Sequence, residues 1–360
     1  MTDQTPTTPS AAVRLLGYDL LRIWSILAVV AIHTFGQFAV DDSARGNVSW
    51  WAGLALQTGS IWCVPVFVML AGALSLRPEA HRMGARAFLV KRGRRIIPAI
   101  LVWTVVYLVG VRILLLHEHL SGAQVLQTLV DASVYPQLYF LWLIAGLYLV
   151  APVIAAFLKD GGEHRALIFA VVAMTGTVVI FTTPYVYKHY GIDVPLYLQA
   201  LTMWLPYVGY FVMGYALSRL TLPRWLIGTC GVLAIALATL TIFEVADPIR
   251  FRVLQIISPP SYLGAIVGLL AVCVFVAGVS LLGRIPLGPR ASRFVVMMSE
   301  ATFGVFLIHL LVLLLPYQLL AGFRQHTSFV EAVVAYVSIV TLSFAMTVGA
   351  RKIPVLRAVF

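Results

Sequence analysis

YDLLRIWSILAVVAIHTFGQFAV, residues Tyr18–Val40, is long and apolar enough to cross a bilayer as one helix, yet it carries Asp19, Arg22 and His33. An ionisable residue inside a membrane helix is costly, and by default it marks a functional site turned toward the protein interior. Helical geometry sharpens that reading. The step from Arg22 to His33 closes to within about 20° of whole turns, and that from Asp19 to His33 to within about 40°. Gln37 follows one turn beyond His33, so the four share a stripe that Ile26 and Val29 complete. Asp19 and Arg22, at i,i+3, are spaced to pair. With a rise of about 1.5 Å per residue, His33 lies roughly 21 Å above Asp19, in the far half of the membrane. The plainer alternative makes Asp19 and Arg22 interfacial anchors and His33 a core histidine bonded to a neighbouring helix. Alignment of all three on one face favours a site.

The rest of the chain matches this start. Its 360 residues are 61% hydrophobic and 11% charged, with a mean hydropathy of +0.95, values foreign to a soluble domain of this length. Apolar runs recur throughout, so the fold class is all-α and polytopic. About ten spans are expected, near 18–40, 50–76, 96–116, 138–158, 166–185, 200–220, 223–243, 262–283, 300–321 and 329–350. The loop from Arg77 to Arg95 is dense in Arg and Lys and is therefore assigned to the cytoplasm. That choice puts 18 of the 25 Lys and Arg inside and six outside, with both termini cytoplasmic. The net charge of +11 is thus explained by the membrane surface, with no nucleic acid as partner. The expected organisation is a disordered cytoplasmic tail over 1–14, a membrane domain over 15–352 and a short cytoplasmic tail over 353–360. Cys63, Cys230 and Cys273 lie in apolar segments without metal spacing and read as buried small hydrophobes.

Further features stand out along the chain, of which the second span reads as architecture alone. KRGRRIIP, Lys91–Pro98, sets Lys91, Arg92, Arg94 and Arg95 just before a proline and an expected helix start, where cations and helix N-terminal amides suit a phosphate. The alternative is a simple positive-inside signal or lipid-headgroup contact. In the second span Pro65 is expected to kink the helix, and Gly59 and Gly72 allow close helix approach. The fourth span brings Tyr139, Trp142 and Tyr148 to the outer half, as a sugar-stacking surface or as an interfacial belt. In the ninth, Glu300 lies near the inner surface and His309 about 14 Å further on, facing the opposite side. His117-Glu118-His119 superficially suits a metal, but alternate loop residues without further ligands are weak support and no metal is expected.

These motifs together resemble the acyltransferase 3 family, integral-membrane enzymes that move acyl groups from acyl-CoA onto sugars and other hydroxyl acceptors. The most specific match is Arg22-x10-His33 preceded by YDLLR, where the family usually has LDLLR. Arg92-x-x-Arg95 is similar to the family's proposed cytoplasmic CoA contact. VPVFVMLAGALSL, LYFLWLIAGLYLVAP and TFGVFLIH are similar to family stretches in the second, fourth and ninth spans, closest to the surface-polysaccharide O-acyltransferase branch. Ala71 replaces a usual Ser, Tyr139 a usual Trp, Trp142 a usual Tyr and Phe306 a usual Tyr. The resemblance implies acetyl-CoA or another acyl-CoA as donor and an envelope glycan, glycolipid or other hydroxyl acceptor, at the plasma membrane. It also implies that Arg92 and Arg95, with Lys91 and Arg94, hold the donor. His33 then serves as general base or acyl carrier, and Arg22 and Asp19 shape the channel. The competing class is a transporter or flippase that uses Asp19, Arg22, His33 and His309 as a proton or substrate pathway. A third reading is a receptor or scaffold without turnover.

Overall fold

The first helix, α1 (Ala11–Ala39), is the axis of the bundle. Leu21, Ile26, Val29, Val30, Phe35 and Phe38 along it are buried at 3% exposure or less. Around it stand α2 (Val48–Thr58), α3 (Cys63–Ser75), α11 (Ala265–Leu282), α12 (Pro289–Leu319) and α14 (Phe329–Ala350), all in contact with it. The computed structural model describes residues 11–41, 45–159, 161–220, 222–325 and 328–360. Most of the tail expected over 1–14 lies outside the described residues. No strand occurs among them, as the lack of water in a bilayer core requires of any element that is not a closed barrel.

The remaining elements are α4 (Ala85–Val105), α5 (Gly122–Val130), α6 (Tyr139–Lys159), α7 (Gly162–His189), α8 (Val208–Arg219), α9 (Arg224–Ala246) and α10 (Arg252–Ile257). Two short helices, α13 (Ala321–Arg324) and α15 (Pro354–Arg357), follow α12 and α14. Helix α7 presents Ile168, Val171, Val172, Val179 and Ile180 outward, a face that only lipid suits. Among the described residues nine helical spans are long and apolar enough to cross a membrane, which makes the chain a multi-pass membrane protein.

Three expected spans take other forms. The segment 200–220 is not a full spanning helix: a turn at Leu205–Tyr207 leads into α8, with only 12 helical residues. At about 18 Å it is shorter than the hydrocarbon layer of about 30 Å. Irregular backbone survives at such depth only inside protein, and Gly209 through Ala216 are all buried. The second span is two helices, broken between Thr58 and Cys63. Pro65 is not the kink; it sits in the first turn of α3, where its missing N–H is not needed. Gly72 does allow close approach: side chains at Gly72 or Gly214 would overlap the Phe211 and Met69 carbonyls, so α3 and α8 touch backbone to backbone. Helix α4 begins at Ala85, not near 96, and after Val105 its winding widens to a π-helix over Val106–Leu115. Cys63 and Cys273 are buried free thiols; Cys230 is a half-buried one.

Contacts gather one end of the bundle around the charges. Arg77 beyond α3 lies 5.3 Å from the Tyr18 ring near the start of the membrane part of α1. Phe360 reaches Trp103 of α4, 5.2 Å between ring centres. At the other end Arg45 donates to the Ala246 carbonyl (2.6 Å), and Trp50 to that of Ala39 (3.2 Å).

Candidate active site

Arg22 and Asp19 of α1 are joined across the bundle by a residue the sequence reading passed over. Ser299 of α12 donates to Asp19 Oδ1 (2.6 Å) and accepts from Arg22 Nη1 (3.0 Å), while Arg22 and Asp19 themselves stand 3.5 Å apart. The hydroxyl can play both parts because it has one hydrogen and two lone pairs. Asp19 is thereby a tether for the arginine, and Arg22 is held facing a cavity of about 300 Å³.

Helix α4 supplies the other cations of that cavity, Lys91, Arg92 and Arg95. Because the helix starts at Ala85, its free N-terminal amides lie well before Arg92 and do not serve the expected phosphate site; the side chains alone carry the charge. Arg92 donates to Ser75 Oγ at the end of α3 (3.2 Å) and lies 4.7 Å from the Tyr148 ring and 5.4 Å from that of Phe88. Arg95 lies 4.9 Å from the Phe303 ring. Flat guanidinium groups on aromatic faces stay available at their edges for an anion. Tyr148 therefore belongs to this basic end and not to the outer half expected for it. Tyr139 and Trp142 do not line the cavity, and the Tyr139 hydroxyl is buried without a hydrogen-bond partner. Arg94 also stays outside it. Glu300 lines the rim and accepts from Arg351 (2.7 Å).

Deep in the cavity stand three rings, Phe67 of α3, Phe140 of α6 and Phe306 of α12, with centres 6.1 Å (Phe67–Phe140) and 5.1 Å (Phe140–Phe306) apart. Phe306 is also 6.1 Å from the ring of His309, whose centre is 5.3 Å from that of His33. The two intramembrane histidines, on helices far apart in sequence, thus form a pair. Its tautomer follows from the bonding. His309 Nδ1 lies 2.8 Å from the Phe306 carbonyl and 3.2 Å from that of Val305, so Nδ1 carries the hydrogen and Nε2 is left as an acceptor. That Nε2 is buried with no hydrogen-bond partner, in a residue only 1% exposed. A buried bare acceptor is costly and needs a purpose.

Neighbours fix α12 and α1 around the pair. Tyr107, in the π-helical turn, donates to the Leu307 carbonyl (2.7 Å), as does Gln137 (3.5 Å). Tyr336 of α14 donates to the Leu27 carbonyl of α1 (3.1 Å). Tyr317 bonds Gln37, the last member of the α1 stripe. The Tyr135 ring packs on that of Tyr107 (4.4 Å), and burial, with a contribution from Glu118, raises its phenol above the ordinary pKa. Among the described residues no group of three His, Cys, Asp or Glu is placed to hold a metal, and Glu118 of the HEH tract pairs with Arg112 (2.8 Å).

The site is thus a cationic cavity at one end of a polytopic bundle, with Phe306 of its lining against a histidine pair in which His309 is buried and His33 half-buried. The family follows from comparison: the model of the acyltransferase 3 family, described as an acyltransferase domain, matches residues 15–348, and the chain belongs to that family. It is a membrane acyltransferase. No curated protein and no solved structure matches it.

Proposed function

We propose that this acyltransferase moves an acyl group, in the first instance acetyl, from acyl-CoA to a hydroxyl of a cell-envelope glycan or glycolipid. The basic end, with both termini, faces the cytoplasm of a plasma membrane, and the histidine pair faces the outer half. The observation that carries this reading is Phe306, whose ring lines the basic cavity on one side and meets His309 on the other. The residues fit the donor: Arg22, Lys91, Arg92 and Arg95 offer charge for its phosphates, and Tyr148 and Phe303 offer rings. His33 lies about 16 Å along α1 from Arg22, so a long flexible arm is needed to present the thioester to it.

In this mechanism His33 takes the proton of the acceptor hydroxyl as its oxygen attacks the thioester carbonyl. The new C–O bond replaces the C–S bond, and the departing thiolate takes up the proton held by His33, which returns the histidine to its neutral form. His309, donating through Nδ1 to its own helix, keeps Nε2 as the acceptor side of the pair. Phe67, Phe140 and Phe306 keep that region dry.

The test uses purified protein in nanodiscs with labelled acetyl-CoA and an envelope extract. His33→Ala is expected to keep its melting temperature and donor binding and to lose label transfer. Transfer at the wild-type rate would remove His33 from the chemistry. Failure of wild-type protein to bind or turn over any acyl-CoA would favour the transporter reading instead.

A further inference from the structure

A second cavity, of about 310 Å³, opens beside the first and shares Lys91 and Arg95 with it. Arg94, Arg351 and Arg357 complete its charged lining. Lys91, Arg94 and Arg95 stand at i, i+3 and i+4 on α4 and so project from one face. Arg351 caps α14, and Arg357 comes from α15. Among the described residues, Arg351 alone of these cations has an acidic partner, Glu300 at 2.7 Å.

Arg357 is carried there by contacts of its own segment. The Val359 carbonyl accepts from Trp103 Nε1 of α4 (3.0 Å), and the Phe360 ring meets Trp103 edge-on at 5.2 Å. Arg357 is exposed, but it lines the same cavity as three cations of α4. Such an arrangement is self-repelling until an anion enters, and forked guanidinium donors match phosphate oxygens.

We infer that this second cavity binds a phosphomonoester, and that it takes the ribose phosphate of the acyl-CoA donor while the first cavity takes the remainder. The inference rests on the acyl-CoA reading above and extends it to Arg94, Arg351 and Arg357. A ligand with two separated anionic groups spans both cavities through the shared Lys91 and Arg95. A lipid phosphomonoester offers the same chemistry from another source, and the experiment separates the two.

Binding of CoA and of dephospho-CoA, which lacks the ribose phosphomonoester, is measured on the full chain in phosphatidylcholine nanodiscs. Wild type is expected to prefer CoA by at least about tenfold, the worth of one charged hydrogen bond. Arg357→Ala and Arg94→Ala each weaken CoA by about tenfold and leave dephospho-CoA unchanged. Equal binding of the two ligands by wild type overturns the inference while leaving the donor reading intact. A variant that weakens both ligands alike does the same. If neither ligand binds wild type, the donor reading falls and this assignment with it. If the ligands bind alike and phosphatidic acid raises the melting temperature of wild type but not of Arg357→Ala, the cavity takes a lipid headgroup and the nucleotide assignment is overturned.

Discussion

The basic cavity and the histidine pair share two helices, α1 and α12, but satisfy their polar groups in opposite ways. In the cavity every lining arginine has a partner that leaves donors over: Ser299 and Asp19 for Arg22, Ser75 and Tyr148 for Arg92, Phe303 for Arg95. At the pair, His309 uses one ring nitrogen on its own helix and keeps the other bare in a closed interior. One region is open and charged; at the other His309 is enclosed and short of a hydrogen-bond donor. The difference teaches a division of labour. In the proposed function, a charged donor is held where water can still screen it, and the histidines act where a single bond counts for more.

The comparison breaks most sharply at the histidines. His33→Ala and His309→Ala are each expected to lower turnover by on the order of 10²- to 10⁴-fold, the usual worth of a positioned acid or base. The double variant is expected to be no worse than the poorer single one, because residues acting as a unit are non-additive. Full additivity in the rate measurements would show two separate roles. A smaller effect comes from the other region. Arg92→Ala should raise the KM for the donor by about ten- to a hundredfold with little change in kcat. Added salt should weaken wild type toward the variant, since the cavity is open to screening. A fall in kcat at constant KM would move Arg92 from holding the donor to the reaction itself.

Much of this was legible in the chain, for reasons that also explain what was not. A membrane span announces itself by apolar length, so nine of the ten expected spans have counterparts and α1 was read with its stripe intact. Helix α8 was not, because apolarity reports only that a segment avoids water; Val208–Arg219 avoids it inside protein and needs no full span. The start of α4 was hidden since ARAFLVKRGRR looks like a charged loop to hydropathy, although Arg, Lys and Ala are good helix formers. At the site, Arg22, His33 and His309 were singled out by the cost of a charge or imidazole inside a membrane helix, and Arg92 and Arg95 by their clustering before Pro98 and by the family resemblance. Their grouping was not. Whether His309 faces His33 depends on the rotation of α12 against α1, which bonds such as Tyr107 to Leu307 set from a third element. Tyr148 shows a further gap: it was expected in the outer half, whereas it lies at the basic end, where Arg92 meets its ring.

Ser299 gives the finest cut between the two regions, since it binds the cavity's arginine while fixing the helix that carries His309. Ser299→Ala removes the hydroxyl from between Asp19 and Arg22 and leaves them at 3.5 Å, so the charges keep each other but lose their common tie to α12. A loss of about 1–3 kcal/mol in stability is expected, read from a reversible unfolding measurement. The effect on turnover should be smaller than that of Arg92→Ala and should divide between KM and kcat. If only KM rises, Ser299 serves the cavity alone; if only kcat falls, its main work is holding α12 in register with α1. Ser299→Thr keeps the hydroxyl and should restore most of either loss. Failure of that rescue would mean that the space beside Asp19, and not the hydrogen bond, is what the site requires.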